Sequence, residues 1–222
     1  AEGAQKPEST LTFNQVTDLV TKIAHWLPVT EEMLEDVAQI ASYIDARLRT
    51  GIGLTEEDQL LNGNGTAPNL RGIRNRAGLT PAHARVDPET NVDAIFAQTM
   101  AIFVASLIMP DGHVINPANW TKIALGKDTT GQYYGAGPFA GPLAPTLWGL
   151  PVSITPAIPA GTSLTGAYGS QSQIFDKGGI RVEASNSHAD FFIKNLVAIR
   201  AEERLALAVY RPSAFGETTG LQ

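Results

Sequence analysis

The chain has no cysteine. No disulfide framework and no thiolate metal site can form, and the composition suits a reducing compartment. A long apolar run is also missing. The most apolar stretch, Met100 to Met109, is about half of the roughly 20 residues that a membrane-spanning helix needs. No stretch resembles a signal peptide, and the first residue is Ala1 rather than methionine. There is no basic excess. The formal net charge is −6 and the pI about 5.2, so bulk charge gives no support for a nucleic-acid binder. Internal repeats and low-complexity tracts are absent. The four histidines, His25, His83, His113 and His188, are scattered, none at metal-ligand spacing from another. Nucleotide and nucleophile motifs fail in detail. Gly63-Asn64-Gly65 begins like a dinucleotide fingerprint, but Pro68 stands where the third glycine belongs. Thr121 replaces the first glycine of a phosphate loop ahead of Gly126-Lys127-Asp128. Gly161 to Gly166 misses the nucleophile-elbow spacing by one residue.

What is present describes a globular protein. With 222 residues, 43% of them hydrophobic and 17% charged, the chain can bury one large core or two smaller ones. Its 21 glycines and 14 prolines imply many turns, hence a β-containing protein rather than a helical bundle. Residues 1–28 read as extended, with Leu11, Phe13, Val16, Leu19, Val20 and Ile23 spaced like a strand broken by a bend. Such a strand has no local partner. Thr30 caps a predicted helix to about Thr50, with Glu31 and Glu32 at its positive end and Arg47 and Arg49 near its negative end. Leu34, Val37, Ala41, Ile44 and Leu48 form its apolar stripe, and Gly51 reads as its stop.

The run Leu60 to Leu70 holds two Asn-Gly pairs, which mark a tight turn with positive φ. Arg71, Arg74 and Arg76 read as a solvated loop with weak surface pairs. A second helix is predicted over Val92 to Leu107, its latter half apolar nearly all round and therefore buried. A third starts at Asn116-Pro117 and runs to about Gly126. Beyond it, Pro151 to Ile158, Ser163 to Tyr168, Ile180 to Ala184 and Phe191 to Tyr210 read as strands. The fold class is α+β, helices early and strands late.

Several blocks occur in one order along nearly the whole chain. They are Lys6-Pro7-Glu8-Ser9 with Thr12-Phe13, Ile23-Ala24-His25-Trp26, Ser42-Tyr43-Ile44 with Arg47-Leu48, and Leu60 to Thr66. Then come Trp148 to Val152, Lys194-Asn195, Glu202 to Ala208 and Tyr210-Arg211-Pro212. Each is weak alone; together they make the chain resemble the major capsid proteins of tailed bacteriophages, with the HK97-type shell fold. The resemblance implies a layout: residues 1–24 as the second strand of a partial E-loop, 25–74 as a P-domain with a long spine helix, 75–175 as an A-domain, 176–209 as P-domain return strands, and 210–222 as a C-terminal A-domain segment. It implies an N-terminally truncated capsid chain, because the family carries an arm and a first E-loop strand ahead of this point.

The resemblance also implies a function: self-assembly as pentamers and hexamers into an icosahedral shell around double-stranded DNA, without sequence-specific binding. Portal and scaffold or maturation protease would be partners during assembly in the host bacterial cytoplasm. The mature location would be the virion capsid, with no membrane, cofactor or metal. An acidic wall that does not grip DNA fits this. In the crosslinking branch of the family a lysine joins an asparagine of a neighbouring subunit with help from a glutamate; the matching positions are Lys6, Asn195 and Glu202. A neutral amine attacks the amide carbon, ammonia leaves, and an isopeptide bond remains, a single turnover rather than enzyme catalysis. In an extended strand Asn195 and Glu202 stand roughly 23 Å apart, so such a site needs several subunits. The plainer reading stays open beside it: a solvated lysine, a structural amide and a salt-bridge carboxylate. Two other readings compete with the phage shell. One is an encapsulin-like bacterial nanocompartment shell. The other is a β-rich hydrolase, which needs an acid, base or metal cluster that the sequence does not display.

Overall fold

The longest helix runs past the glycine expected to end it. In the computed structural model, which describes residues 15–36, 38–135 and 145–222, the elements in chain order are β1 (Thr21–Thr30), α1 (Glu31–Asp36), α2 (Ala38–Asn62), β2 (Thr80–Ala84), α3 (Asn91–Ser106), β3 (Gly112–Ile115), α4 (Pro117–Ala124), β4 (Thr146–Leu147), β5 (Leu150–Ile154), β6 (Thr162–Gly166), β7 (Ser172–Asp176), β8 (Arg181–Ser185), β9 (Leu196–Val209) and β10 (Phe215–Thr219). The Thr30 hydroxyl accepts from the Met33 N–H at 3.3 Å, as a cap should. Gly51 lies well inside α2. Its role is close packing: a Cβ there would sit 2.5 Å from His25 Cε1, and His25 Nε2 is 3.0 Å from the Leu48 carbonyl oxygen. The helix stops instead before Gly63, where a Cβ would come within 2.6 Å of the Gln59 carbonyl oxygen and closer still to that of Leu70. Of the two Asn-Gly pairs, only Gly65 has positive φ, at 73°.

The expected helical stripe survives in part. Leu34, Ile44 and Leu48, joined by Ile52, pack on Val29, Ile199 and Ala201 of a four-stranded sheet; the Val37 side chain lies outside the described residues. Fully burying Leu48 or Ile52 is worth roughly 1.5–3 kcal/mol each. The sheet order is β1-β9-β7, with β8 also on β9. Of the extended segment expected over residues 1–28, residues 1–14 lie outside the described residues and 15–20 are not strand; the rest enters β1, which pairs antiparallel with the distant β9, from Thr21 opposite Leu205 to Thr30 opposite Leu196. β1 is an edge strand, so Pro28 breaks no ladder by lacking an N–H.

A six-stranded sheet, order β2-β10-β6-β3-β5-β4, forms the other half. β2 and β3 lie between helices in the sequence, so the expected division into early helices and late strands does not hold. β10 enters between β2 and β6, which places the C-terminal strand inside the sheet. The α3 expectation also needs correcting. Its Phe103 and Val104 are 43% and 75% exposed, while Gln98, Thr99 and Ser106 are buried with Ile95 and Ile102. The sheet surface carries buried His113, Ser163, Thr165 and Thr218, with His113 Nδ1 2.9 Å from Thr165 Oγ1. Polar residues of helix and sheet are thus mixed into the α3 face beside Ile95, Ile115 and Val152, with Gln98 Nε2 donating to the Pro81 carbonyl at 3.2 Å. On the far side, Leu61, Ile73, Ile158, Leu164, Leu207 and Phe215 share one core, which ties α2 and β9 to the six-stranded sheet.

Two of the three arginines expected in a solvated loop, Arg74 and Arg76, are structural instead, while Arg71 is exposed as expected. Arg76 is 8% exposed. Its Nη1 donates to both Asp18 oxygens at 2.9 and 2.7 Å, and its Nη2 donates to the carbonyls of Arg71 and Leu207 at 3.0 and 2.6 Å. Arg74 donates to Glu217 at 2.7 Å and to Asn62 at 2.7 Å. Asp18 thereby anchors the stretch that leads into β1.

Candidate functional site

β9 alternates, and the alternation assigns its side chains to two environments. Val197, Ile199, Ala201, Glu203 and Leu205 face α2. Arg200, Glu202 and Arg204 face the other way, opposite Trp26, Ala24 and Lys22 of β1. Glu202 lies on this outer face with an 18% exposed side chain and accepts from Lys22 Nζ at 3.0 Å. Arg200 Nε is 3.4 Å away, and Arg181 of β8 is its cross-strand neighbour. The hydrogen bond from the Lys22 ammonium holds the Glu202 carboxyl below the usual carboxylate range, with Arg200 and Arg181 adding to the effect against the opposing cost of burial. Glu202 is therefore held in its ionised, ion-paired form by these three cations.

Asn195 occupies a different setting. It closes the short helical turn Phe192–Lys194 in the left-handed region, φ 51° and ψ 45°, a conformation that asparagine tolerates better than most residues. Its carbonyl accepts from the Glu31 N–H at 2.9 Å, and the residue is exposed. The turn sits beside an aromatic cluster of Trp26, His188 and Phe191, with ring centroids 5.0–6.2 Å apart. Phe192 and Ile193 project outward, 74% and 79% exposed.

The structure does not bring Asn195 and Glu202 together. β9 is continuous from Leu196 onward, so the two stand roughly 23 Å apart along the strand. Lys6 lies outside the described residues. Among the described residues no group of three or more His, Asp or Glu is placed to hold a metal ion.

Sequence reasoning missed Lys22, Arg181 and Arg200 as partners of Glu202; strand alternation plus register is the signal that finds them. It also missed Glu203, a carboxylate on the apolar face, 7% exposed, whose Oε2 makes no hydrogen bond. Burial first, then Glu56 and Asp176, push its carboxyl up.

Comparison with known proteins gives a consistent picture. Residues 1–218 match the Phage capsid family. The major capsid protein of Enterobacteria phage HK97 is 42% identical over 221 residues, covering 96% of this chain. The chain spans about half of that relative, 55% of its length. Among solved structures, the capsid of a native GTA particle computed with C5 symmetry superposes with a TM-score of 0.77 at 18% identity, over 100% of this chain and 80% of that one. A chain from Microbacterium phage Oxtober96 gives 0.75 at 15% identity, over 99% and 79%.

Proposed function

The chain belongs to the phage capsid family and has the α+β fold of HK97-type capsid chains; from that premise we propose that it builds the icosahedral head that encloses phage DNA. The observation that carries this is the 42% identity to the HK97 major capsid protein across almost the whole chain. The nanocompartment and hydrolase readings have no relative of comparable identity behind them. In this reading α2 and the four-stranded sheet form the P-domain, and the six-stranded sheet forms the A-domain around the capsomer axis. The residues ahead of β1, most of the expected 1–24 segment, belong to the E-loop that reaches a neighbour. Pentamers and hexamers of the chain are the assembling units, with a portal and a scaffold or maturation protease as partners in the host cytoplasm.

The same reading places the covalent chemistry between copies. Lys6 of one subunit attacks the side-chain amide of Asn195 of a second. The Lys6–Asn195 amide bond forms, ammonia leaves, and Glu202 of a further copy carries the proton. The separation of Asn195 from Glu202 within one chain supports an intersubunit arrangement. The experiment uses the full-length protein. Closed particles by electron microscopy are expected, and boiled shells should run as covalent ladders. A Lys6–Asn195 peptide pair lighter by about 17 Da, one ammonia, is the covalent signature. Purified protein that forms no particles refutes the shell reading. Shells that dissociate wholly to monomers refute only the crosslink.

A further inference from the structure

The four-stranded sheet buries one face beneath α2; among the described residues nothing covers the other face, which is cationic. Register sets Lys22 opposite Arg204, Trp26 opposite Arg200, and Arg181 opposite Glu202. Lys22, Arg181, Arg200 and Arg204 therefore project from the same side, and Lys177, whose N–H donates to the Arg204 carbonyl at 2.9 Å, follows at the end of β7. Against these five cations stand two carboxylates, Glu183 and Glu202, a net of +3. The whole chain carries −6, so the remaining residues carry −9.

Both carboxylates are already engaged, Glu202 by Lys22 and Arg200, Glu183 by Arg200 at 2.7 Å. Among the described residues Lys177, Arg181 and Arg204 make no salt bridge, and all three are exposed. Trp26 and Phe175, 51% and 48% exposed, lie on the same face. Exposed arginines interleaved with aromatic residues are the composition of a protein-binding surface. A phosphate backbone fits less well, because the two carboxylates repel it and a net of +3 offers few phosphate contacts.

The complementary surface is on the same chain. α1 carries Glu31, Glu32 and Glu35, with no basic residue in its last turn. Among the described residues none of the three makes a salt bridge, and its Met33 is 48% exposed. We propose that the cationic sheet face of one copy docks the acidic α1 of a second, with Glu31, Glu32 and Glu35 meeting Lys177, Arg181 and Arg204. Met33 lies against Phe175, two residues from Lys177 on the same face, where a thioether suits an aromatic ring. The contact joins two different surfaces, so it repeats head to tail and either closes a ring or extends a lattice. It rests on the shell-forming reading and names one contact within it.

The test is a charge swap in the full-length protein. One variant carries Arg181→Glu and Arg204→Glu, a second Glu32→Lys and Glu35→Lys, and a third all four changes. Particle yield is read by sedimentation and electron microscopy, and folding by circular dichroism and the urea midpoint. Each one-sided variant is expected to stay folded and lose at least about ten-fold in particle yield, the equivalent of ~1.4 kcal/mol per contact. The four-change protein is expected to recover most of that loss. A folded four-change protein that fails to recover overturns the contact, as does a reversed-face variant that assembles like the wild type. Normal particle yield with reduced DNA retention assigns the face to nucleic acid and also overturns it. Wild-type protein that never assembles removes the shell reading itself, an outcome seen before any variant is compared.

Discussion

Gly51→Ala sets two effects of opposite sign against each other in one helix. An alanine inside a helix is worth about 1 kcal/mol more than glycine. At position 51 the new Cβ falls 2.5 Å from His25 Cε1, far inside the 3.5–4.0 Å of a favourable carbon contact. The ring cannot simply swing aside, because Nε2 is held by the Leu48 carbonyl at 3.0 Å and His25 lies between the sheet and α2. Overpacking costs about 1–3 kcal/mol and a strained hydrogen bond about 1 kcal/mol. The net expectation is destabilisation by about 1–3 kcal/mol, which moves a urea midpoint down by roughly 0.5–1.5 M. Gly53→Ala is the internal control, since nothing lies within 4 Å of its Cβ position; it should stabilise by about 0.5–1 kcal/mol. In a His25→Ala background Gly51→Ala should also become stabilising, giving a coupling energy of about 2–4 kcal/mol. If Gly51→Ala stabilises the protein as Gly53→Ala does, the close-packing account of Gly51 is wrong.

Two further outcomes follow from buried polar groups. Burial lowers the His113 pKa to about 4 from 6.5. The unfolded chain takes up the proton first as pH falls, so stability is full above pH 6.5 and is lost between there and pH 4. The loss is about 3 kcal/mol at ~1.4 kcal/mol per unit. Urea unfolding of His113→Gln across that range should lack this component; an unchanged slope would refute the assignment. Asp18→Ala leaves the Arg76 guanidinium buried without its counter-ion and should cost about 3–5 kcal/mol in thermal or urea unfolding, whereas a loss under 1 kcal/mol would mean that the pair is as weak as an exposed one.

Local signals carried a good part of this protein. The Thr30 cap, the Leu34–Ile44–Leu48 stripe, the Asn116-Pro117 helix start and the α+β class were readable because caps, periodicity and proline act over a few residues. The block order along the chain carried the capsid resemblance in the same way. What the sequence left open depended on partners distant along the chain. Gly51 reads as a stop until His25, 26 positions away, is found beneath it. Phe103 and Val104 read as core until α3 is seen to turn Gln98, Thr99 and Ser106 onto the six-stranded sheet. Arg76 reads as solvated until Asp18 and the Leu207 carbonyl close around it. At the candidate site the sequence supplied Glu202 and Asn195 as residue types. Only the β1–β9–β8 register placed Lys22, Arg200 and Arg181 around Glu202, and only the unbroken β9 strand kept Asn195 apart from it. Residue type sets what a group can do; which groups meet is decided by strand register and helix packing, and these depend on contacts that no short stretch of sequence contains.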